Sequence, residues 1–237
     1  MRVFAIADLH LGLGIDKNMD IFGPVWEDHP KRIRDAWSSL VSPEDMILIP
    51  GDISWAMNFE QARADINFIS GLPGKKVMIR GNHDYWWSTL TKLKNFLPED
   101  IVPIHNTSYV YKGVGVAGTR LWIDPELRLE AFTERDEKIY KRELERLRMS
   151  VTSLPKGIER IVVMTHFPPI SMHGRPGRAV SLVQEYCTPD AWVYGHMHMD
   201  SSGSNDYRCF NKVLDSTRYV FVSADFLGFS PELILSM

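Results

Sequence analysis

Short apolar runs alternate with amphipathic stretches along the chain. Five runs are apolar almost throughout: Arg2 to Ala7, Met46 to Ile49, Lys76 to Ile79, Ile161 to Thr165 and Ala191 to Tyr194. Each is rich in Val or Ile or flanked by turn residues, a pattern that predicts strands buried on both faces. Helical spacing fills the gaps. Ile33, Ala36, Trp37 and Leu40 share one face, and Phe59, Ala62, Ile66 and Ile69 share another, with Gly71 as a stop signal. Leu90, Leu93 and Leu97 repeat the period. A charged stretch from Thr133 to Met149 carries Ile139, Leu144 and Leu147 as its apolar stripe. Two segments read as hairpins: Tyr109–Tyr111 with Val114–Ala117 around Lys112-Gly113, and Tyr207–Leu214 with Arg218–Val222 around Asp215-Ser216. Strand–helix alternation early and hairpins later predict a layered α/β protein with a mixed sheet or sandwich.

The residues after each buried run carry the candidate chemistry. The first run ends in Asp8-Leu9-His10, the second in Pro50-Gly51-Asp52, and the third in Gly81-Asn82-His83-Asp84. The fourth ends at His166 and the fifth in Gly195-His196-Met197-His198. An aspartate after a strand is commonly a turn former, and a single histidine near a core is commonly satisfied by hydrogen bonds. Those explanations would have to hold independently at five strand ends. In α/β sheets the carboxyl ends of parallel strands gather at one edge, where ligands bind. Two carboxylates and several imidazoles in one cleft repel or lose hydration unless cations join them. The donors are all nitrogen or oxygen, which suits Mn, Fe, Zn, Co or Ni without choosing among them.

Composition narrows the class. The 237 residues show no compositional break and are read as a single domain over 1–237. A formal net charge of -3 gives no sign of a general nucleic-acid or membrane surface. Two cysteines, Cys187 and Cys209, without CxxC spacing argue against a disulfide scaffold. With no signal-peptide pattern and no long apolar stretch, a cytoplasmic location is expected.

The ordered blocks Asp8-x-His10, Gly51-Asp52, Gly81-Asn82-His83-Asp84, His166 and Gly195-His196-x-His198 resemble the calcineurin-like metallophosphoesterase superfamily. The resemblance implies a four-layer α/β/β/α sandwich, two mixed sheets flanked by helices, and two divalent metal ions. It implies that Asp8, His10 and His198 hold one ion, that Asn82, His166 and His196 hold the other, and that Asp52 bridges them. The implied activity is phosphomono- or phosphodiester hydrolysis by a hydroxide shared between the ions, with a small soluble phosphorylated substrate favoured. A nuclease-type phosphodiesterase and a non-catalytic metal-binding interaction module are the alternatives.

Other residues carry weaker expectations. His83 is the candidate catalytic donor to phosphate or to the leaving oxygen. Asp84 either orients it or caps a helix beginning near Tyr85. Arg175 and Arg178, in a Gly/Pro-rich loop after His166, grip a distal anion or simply belong to a solvated loop. Trp55, Trp86 and Trp87 are expected near the cleft rim, with at least one of Trp86 and Trp87 packed on a helix face instead because adjacent residues cannot share a face, and His29 and His105 on the surface. Residues 121–149 form either a cap over the site or, preferably, an outer helix with a solvated face.

Overall fold

A computed structural model describes all residues except 16, 18, 128–131 and 200–210. The predicted strands form, with small changes of limit: β1 Arg2–Ala5, β2 Met46–Ile49, β3 Lys75–Met78, β7 Arg160–Thr165 and β8 Ala191–Tyr194. The chain adds β4 Ile101–Pro103, β5 Ser108–Tyr111, β6 Val114–Thr119, β9 Lys212–Leu214, β10 Thr217–Phe221 and β11 Glu232–Ser236. Residues 207–210 of the second expected hairpin lie outside the described residues.

Two mixed sheets result. One has the order β11-β1-β2-β3-β4, the other β5-β6-β7-β8-β10-β9. Strands β1 to β4 pair in parallel, as do β6, β7, β8 and β10, while β5, β9 and β11 close edges antiparallel. Lys112 and Gly113 both take positive φ in the β5–β6 turn, which matches the twist of a two-residue hairpin.

Strand alternation assigns side chains to layers. Val3, Ala5 and Ala7 face Val162, Met164 and Val193 in the core between the sheets. Phe4 and Ile6 point the other way, into a core with Ile33, Trp37, Ala62, Ile66 and Leu93. Those residues come from helices α1 His29–Leu40, α2 Phe59–Ser70 and α3 Leu90–Phe96. On the far side, Val163, Trp192 and Tyr219 pack against Tyr140, Leu147, Val180 and Val183 from α4 Glu134–Thr152 and α5 Arg178–Gln184. The architecture is therefore an α/β/β/α sandwich. Because both sheets are covered, strands such as β2 and β8 are buried at every position, which explains their continuous apolar sequence.

Helix α4 is an outer helix and not a cap. Thr133 and Asp136 form a capping box at its start, and Leu147 and Val151 seat it on the sheet. Its buried stripe differs from the expected one: Tyr140 and Glu143 are buried and Ile139 is only half-buried. His29 is also a correction. Rather than standing on the surface, it is buried at the start of α1, with Nδ1 3.1 Å from the Trp26 carbonyl and its ring against Trp26 and Phe229.

The start of β1 is clamped by Asp45. Its carboxylate accepts the backbone N–H groups of Arg2 (2.7 Å) and Ser42 (2.9 Å) and the Arg2 guanidinium. Burial works against the charge, but these donors outweigh it and hold the carboxyl below its ordinary range. Stability from Asp45 is therefore present above the unfolded carboxyl pKa near 4 and lost as pH falls through the lower folded value. Asp45→Asn is expected to cost about 1–3 kcal/mol at neutral pH, and less at acidic pH, read by urea unfolding at both.

Candidate metal centre

At their carboxyl ends the two sheets are stitched together. Ala7 donates to the Val222 carbonyl (2.8 Å) and Ala224 to that of Ala7 (2.9 Å), so the continuations of β1 and β10 run side by side. Asp8 N–H reaches the Gly51 carbonyl and His10 N–H that of Asp52, both at 3.0 Å. Four of the candidate ligands, Asp8, His10, Asp52 and His196, adopt positive φ. Such backbone costs of order 1–3 kcal/mol per residue and marks loops shaped for side-chain placement. Two glycines allow the approach: a Cβ on Gly81 would lie 2.0 Å from Asp52 Oδ1, and one on Gly195 would lie 2.1 Å from Asp8 Oδ2.

The seven expected side chains come together. His10 Nε2 and His198 Nε2 stand 3.0 Å apart, and Asp8 completes that group. Asn82 Oδ1 lies 2.7 Å from His166 Nε2 and 3.0 Å from His196 Nδ1, with the two imidazole nitrogens 3.3 Å apart. Asp52 Oδ2 sits between the groups, 3.7 Å from His10 Nε2 and 3.5 Å from His166 Nε2. His166 also nears Asp8, at 3.9 Å, but through Nδ1. That nitrogen is 2.9 Å from the Pro50 carbonyl, to which it donates, so Nε2 is the ring nitrogen turned toward Asn82, His196 and Asp52.

These distances fit cations. Ligand atoms about 2.0–2.2 Å from a common ion stand about 3 Å from each other at right angles, as the oxygen and nitrogen atoms do here. Protein charges alone leave the cluster strained. Burial pushes the Asp8 carboxyl up to about 6, reinforced by Asp52 and opposed by His166 and His198. Asp52 moves the other way: burial opposes its charge, but His166 overrides it and holds the carboxyl below its ordinary range. Burial also opposes charge on His166, yet Asp52 drives that imidazole up to about 9. Burial, then His166, brings His196 down to about 3. A cation held beside Asp52 would take the place of a proton on His166 and leave its lone pair free.

Outer contacts hold the ligands in place. Ser223 Oγ donates to Asp8 Oδ2 at 2.8 Å, and the His196 backbone N–H reaches the same carboxylate. Asp225 Oδ2 accepts from Met199 N–H at 2.8 Å and lies 3.3 Å from His198 Nδ1, so it fixes the ring with Nε2 inward. Sequence reading missed Ser223 and Asp225. They follow β10 as Asp8 follows β1, but that segment read as half of a hairpin and not as a parallel strand ending at the same edge. Asp225→Ala is expected to weaken metal binding about 10- to 100-fold, measured by competition with a chromogenic chelator.

Asp84 neither orients His83 nor caps a helix, since α3 begins only at Leu90. Its buried carboxylate accepts Ile53 N–H (2.9 Å), Ser54 N–H (3.1 Å), Gly81 N–H (2.7 Å) and Trp86 Nε1–H (3.1 Å), tying the Asp52 loop to the Asn82 loop. His83 donates its backbone N–H to Asp52 Oδ1 at 2.8 Å. Its half-buried ring packs against Trp55 at 4.6 Å, and Trp55 stacks on His10 at 4.7 Å. Trp55 thus walls the candidate ligands, whereas Trp86 and Trp87 are buried in the helix-side core. His105 is half-buried and accepts from Trp87 Nε1, not a surface residue. Arg178 pairs with Glu126 at 2.7 Å, and Arg175 is exposed in its loop.

A model of the calcineurin-like phosphoesterases matches residues 1–200. The chain belongs to the calcineurin-like phosphoesterase family. Phosphoester hydrolysis is the general activity this membership supports, and divalent metal ions at the site are part of what it implies. Two similar curated proteins are the Gene 66 proteins of Mycobacterium phages L5 and D29. They are 36% identical over 78 residues and 35% over 84 residues, about a third of this chain in each case, and the matches span only 37% and 40% of those proteins. Among solved structures, the phosphopantetheinyl hydrolase PptH from Mycobacterium tuberculosis superposes with a TM-score of 0.57 at 16% identity, covering 100% of this chain and 96% of that one. The protein TT1561 of Thermus thermophilus gives 0.55 at 14%, covering 98% and 97%. At such identities these structures show the shared fold alone. Among the described residues, no helix is long and apolar enough to cross a membrane.

Proposed function

We propose that this family member is a dinuclear metal-dependent phosphohydrolase acting on small soluble phosphate esters. One observation carries the reading: Asp52 Oδ2 stands between two groups of inward-facing nitrogen and oxygen atoms, 3.7 Å from His10 and 3.5 Å from His166. Asp8, His10 and His198 would hold one ion, Asn82, His166 and His196 the other, and Asp52 both. When bound, the pair of ions supplies an activated water and neutralises charge on the phosphoryl oxygens. The chain's own groups do the remainder. His83 Nδ1 is buried without a partner, which leaves Nε2 as the ring nitrogen to meet the substrate. Burial lowers the His83 pKa, so the ring is largely neutral at pH 7 and gives a single N–H to the phosphoryl or leaving oxygen. The Asp52 carboxylate accepts the His83 backbone N–H, which fixes the donor relative to the ions. A net charge of -3 supports a small substrate over long nucleic acid.

The test is turnover of p-nitrophenyl phosphate and bis-p-nitrophenyl phosphate after reconstitution with Mn, Fe, Zn, Co or Ni. Hydrolysis dependent on added metal and abolished by chelation is expected. Stoichiometric metal binding without turnover of either compound under any metal would overturn the catalytic reading in favour of a binding role.

A further inference from the structure

A cavity of about 420 Å³ opens at the carboxyl ends of β3 and β6. Its walls include Arg80, His105, Thr119, Arg120, Glu143 and Arg146. Arg80 lies two residues before Asn82 in the loop after β3, a span of at most about 7 Å of chain. Arg120 follows β6, and its carbonyl accepts the backbone N–H groups of His166 (3.1 Å) and Phe167 (3.0 Å). The cavity is thus lined by a chain neighbour of Asn82 and by the residue whose carbonyl holds the His166 backbone N–H.

Its charge is out of balance. Glu143, 1% exposed, accepts Arg146 Nη1 at 2.7 Å, Thr119 Oγ1 at 2.7 Å and, more loosely, Arg120 Nη2 at 3.4 Å. Arg142, on the same helix, reaches toward this carboxylate only at 3.9 Å and is itself exposed. One carboxylate therefore faces three lining guanidinium groups. The Arg80 side chain makes no hydrogen bond or salt bridge with any described residue, and Nε of both Arg80 and Arg120 is buried without a partner. The Arg120 guanidinium lies over the Trp122 ring, 4.7 Å from its centroid. His105 Nδ1 accepts from Trp87, so the neutral ring carries its proton on Nε2 as a further donor.

Arg80 and Arg120 are half-buried, each with a buried donor left idle, which is costly, and their planar forks match a tetrahedral oxyanion. A surplus of about two positive charges matches a phosphate group, which carries about -1.5 to -2 at neutral pH, better than a single carboxylate. We infer that the Arg80–Arg120 cavity binds a second phosphate group of the substrate, remote from the bond cleaved at the metal centre. This deepens the phosphohydrolase reading and narrows its substrates to compounds bearing two phosphate groups.

Two measurements separate the claims. The first is calorimetric titration of chelator-treated protein with inorganic phosphate, without reference to turnover. The intact chain is expected to bind, and Arg80→Gln and Arg120→Gln are each expected to lose about 10- to 100-fold in affinity. Arg80→Lys should recover part of the loss, since it keeps the charge without the fork. No binding by the intact chain, or equal binding by both glutamine variants, overturns the inference. The second compares the Mn-loaded chain on a nucleoside 3′,5′-bisphosphate and on p-nitrophenyl phosphate. The ratio of kcat/KM for the bisphosphate over the monophosphate should fall about tenfold or more in Arg80→Gln, chiefly through KM. An unchanged ratio contradicts the subsite. Failure to hydrolyse any phosphate ester sinks the catalytic reading while leaving the titration result to stand or fall alone.

Discussion

Asp52→Asn is expected to abolish metal-dependent turnover and to strip metal from the chain, the largest effect of any single conservative substitution. The change keeps shape. Asparagine tolerates the positive φ of 51° at this position, and its carbonyl oxygen can still accept the His83 backbone N–H. What is lost is the negative charge between the two ligand groups. An amide places at most one neutral oxygen there, and its NH2 group faces the imidazoles of His10 and His166. Two cations then lose the anion that lies between them, and their mutual repulsion goes unopposed. Mass-spectrometric metal analysis after desalting should show clear sub-stoichiometry, with an unchanged far-ultraviolet circular dichroism spectrum. Full metal content and full turnover in this variant would remove Asp52 from the centre.

His83→Ala should separate chemistry from metal binding. The ring contributes no atom to either ligand group, and its link to the site runs through its backbone N–H, which alanine keeps. Loss of a positioned hydrogen-bond donor to the charge developing on oxygen costs about 10²- to 10³-fold in rate. The expected result is therefore a fall of that order in kcat with metal stoichiometry retained. Removing the ring also takes away a packing surface of Trp55, so a small loss of thermal stability accompanies it. Equal loss of metal and turnover would instead make His83 a ligand or a structural prop.

The strand ends were legible in the sequence because of their setting. A strand buried on both faces has no solvent-facing alternation, so Met46–Ile49 and Ala191–Tyr194 stand out as apolar blocks, and the polar residue that follows marks the sheet edge. If such strands are neighbours, Asp8, His10, Asp52, Asn82, His166, His196 and His198 meet at one edge. Contacts made across the fold were not legible. Asp84 is adjacent to His83 in sequence, yet its carboxylate turns inward to three backbone N–H groups, a destination set by the meeting of two loops. His29 lies on a helix that looks polar, but the edge-on and tilted packing of Trp26 and Phe229 around it depends on a residue two hundred positions away. Ser223 and Asp225 escaped because β10 can be seen as a parallel partner of β8 only once the sheet order is known. Arg80 and Arg120 follow strands of different sheets, and nothing local marks them as facing one cavity.

The most direct measurement is anomalous diffraction from crystals of the manganese-loaded chain. Two peaks are expected, about 3.5–4 Å apart. One should lie among Asp8, His10 and His198, the other among Asn82, His166 and His196, with an Asp52 oxygen touching both. A single peak, or any pair that leaves Asp52 uncoordinated, would contradict the dinuclear centre.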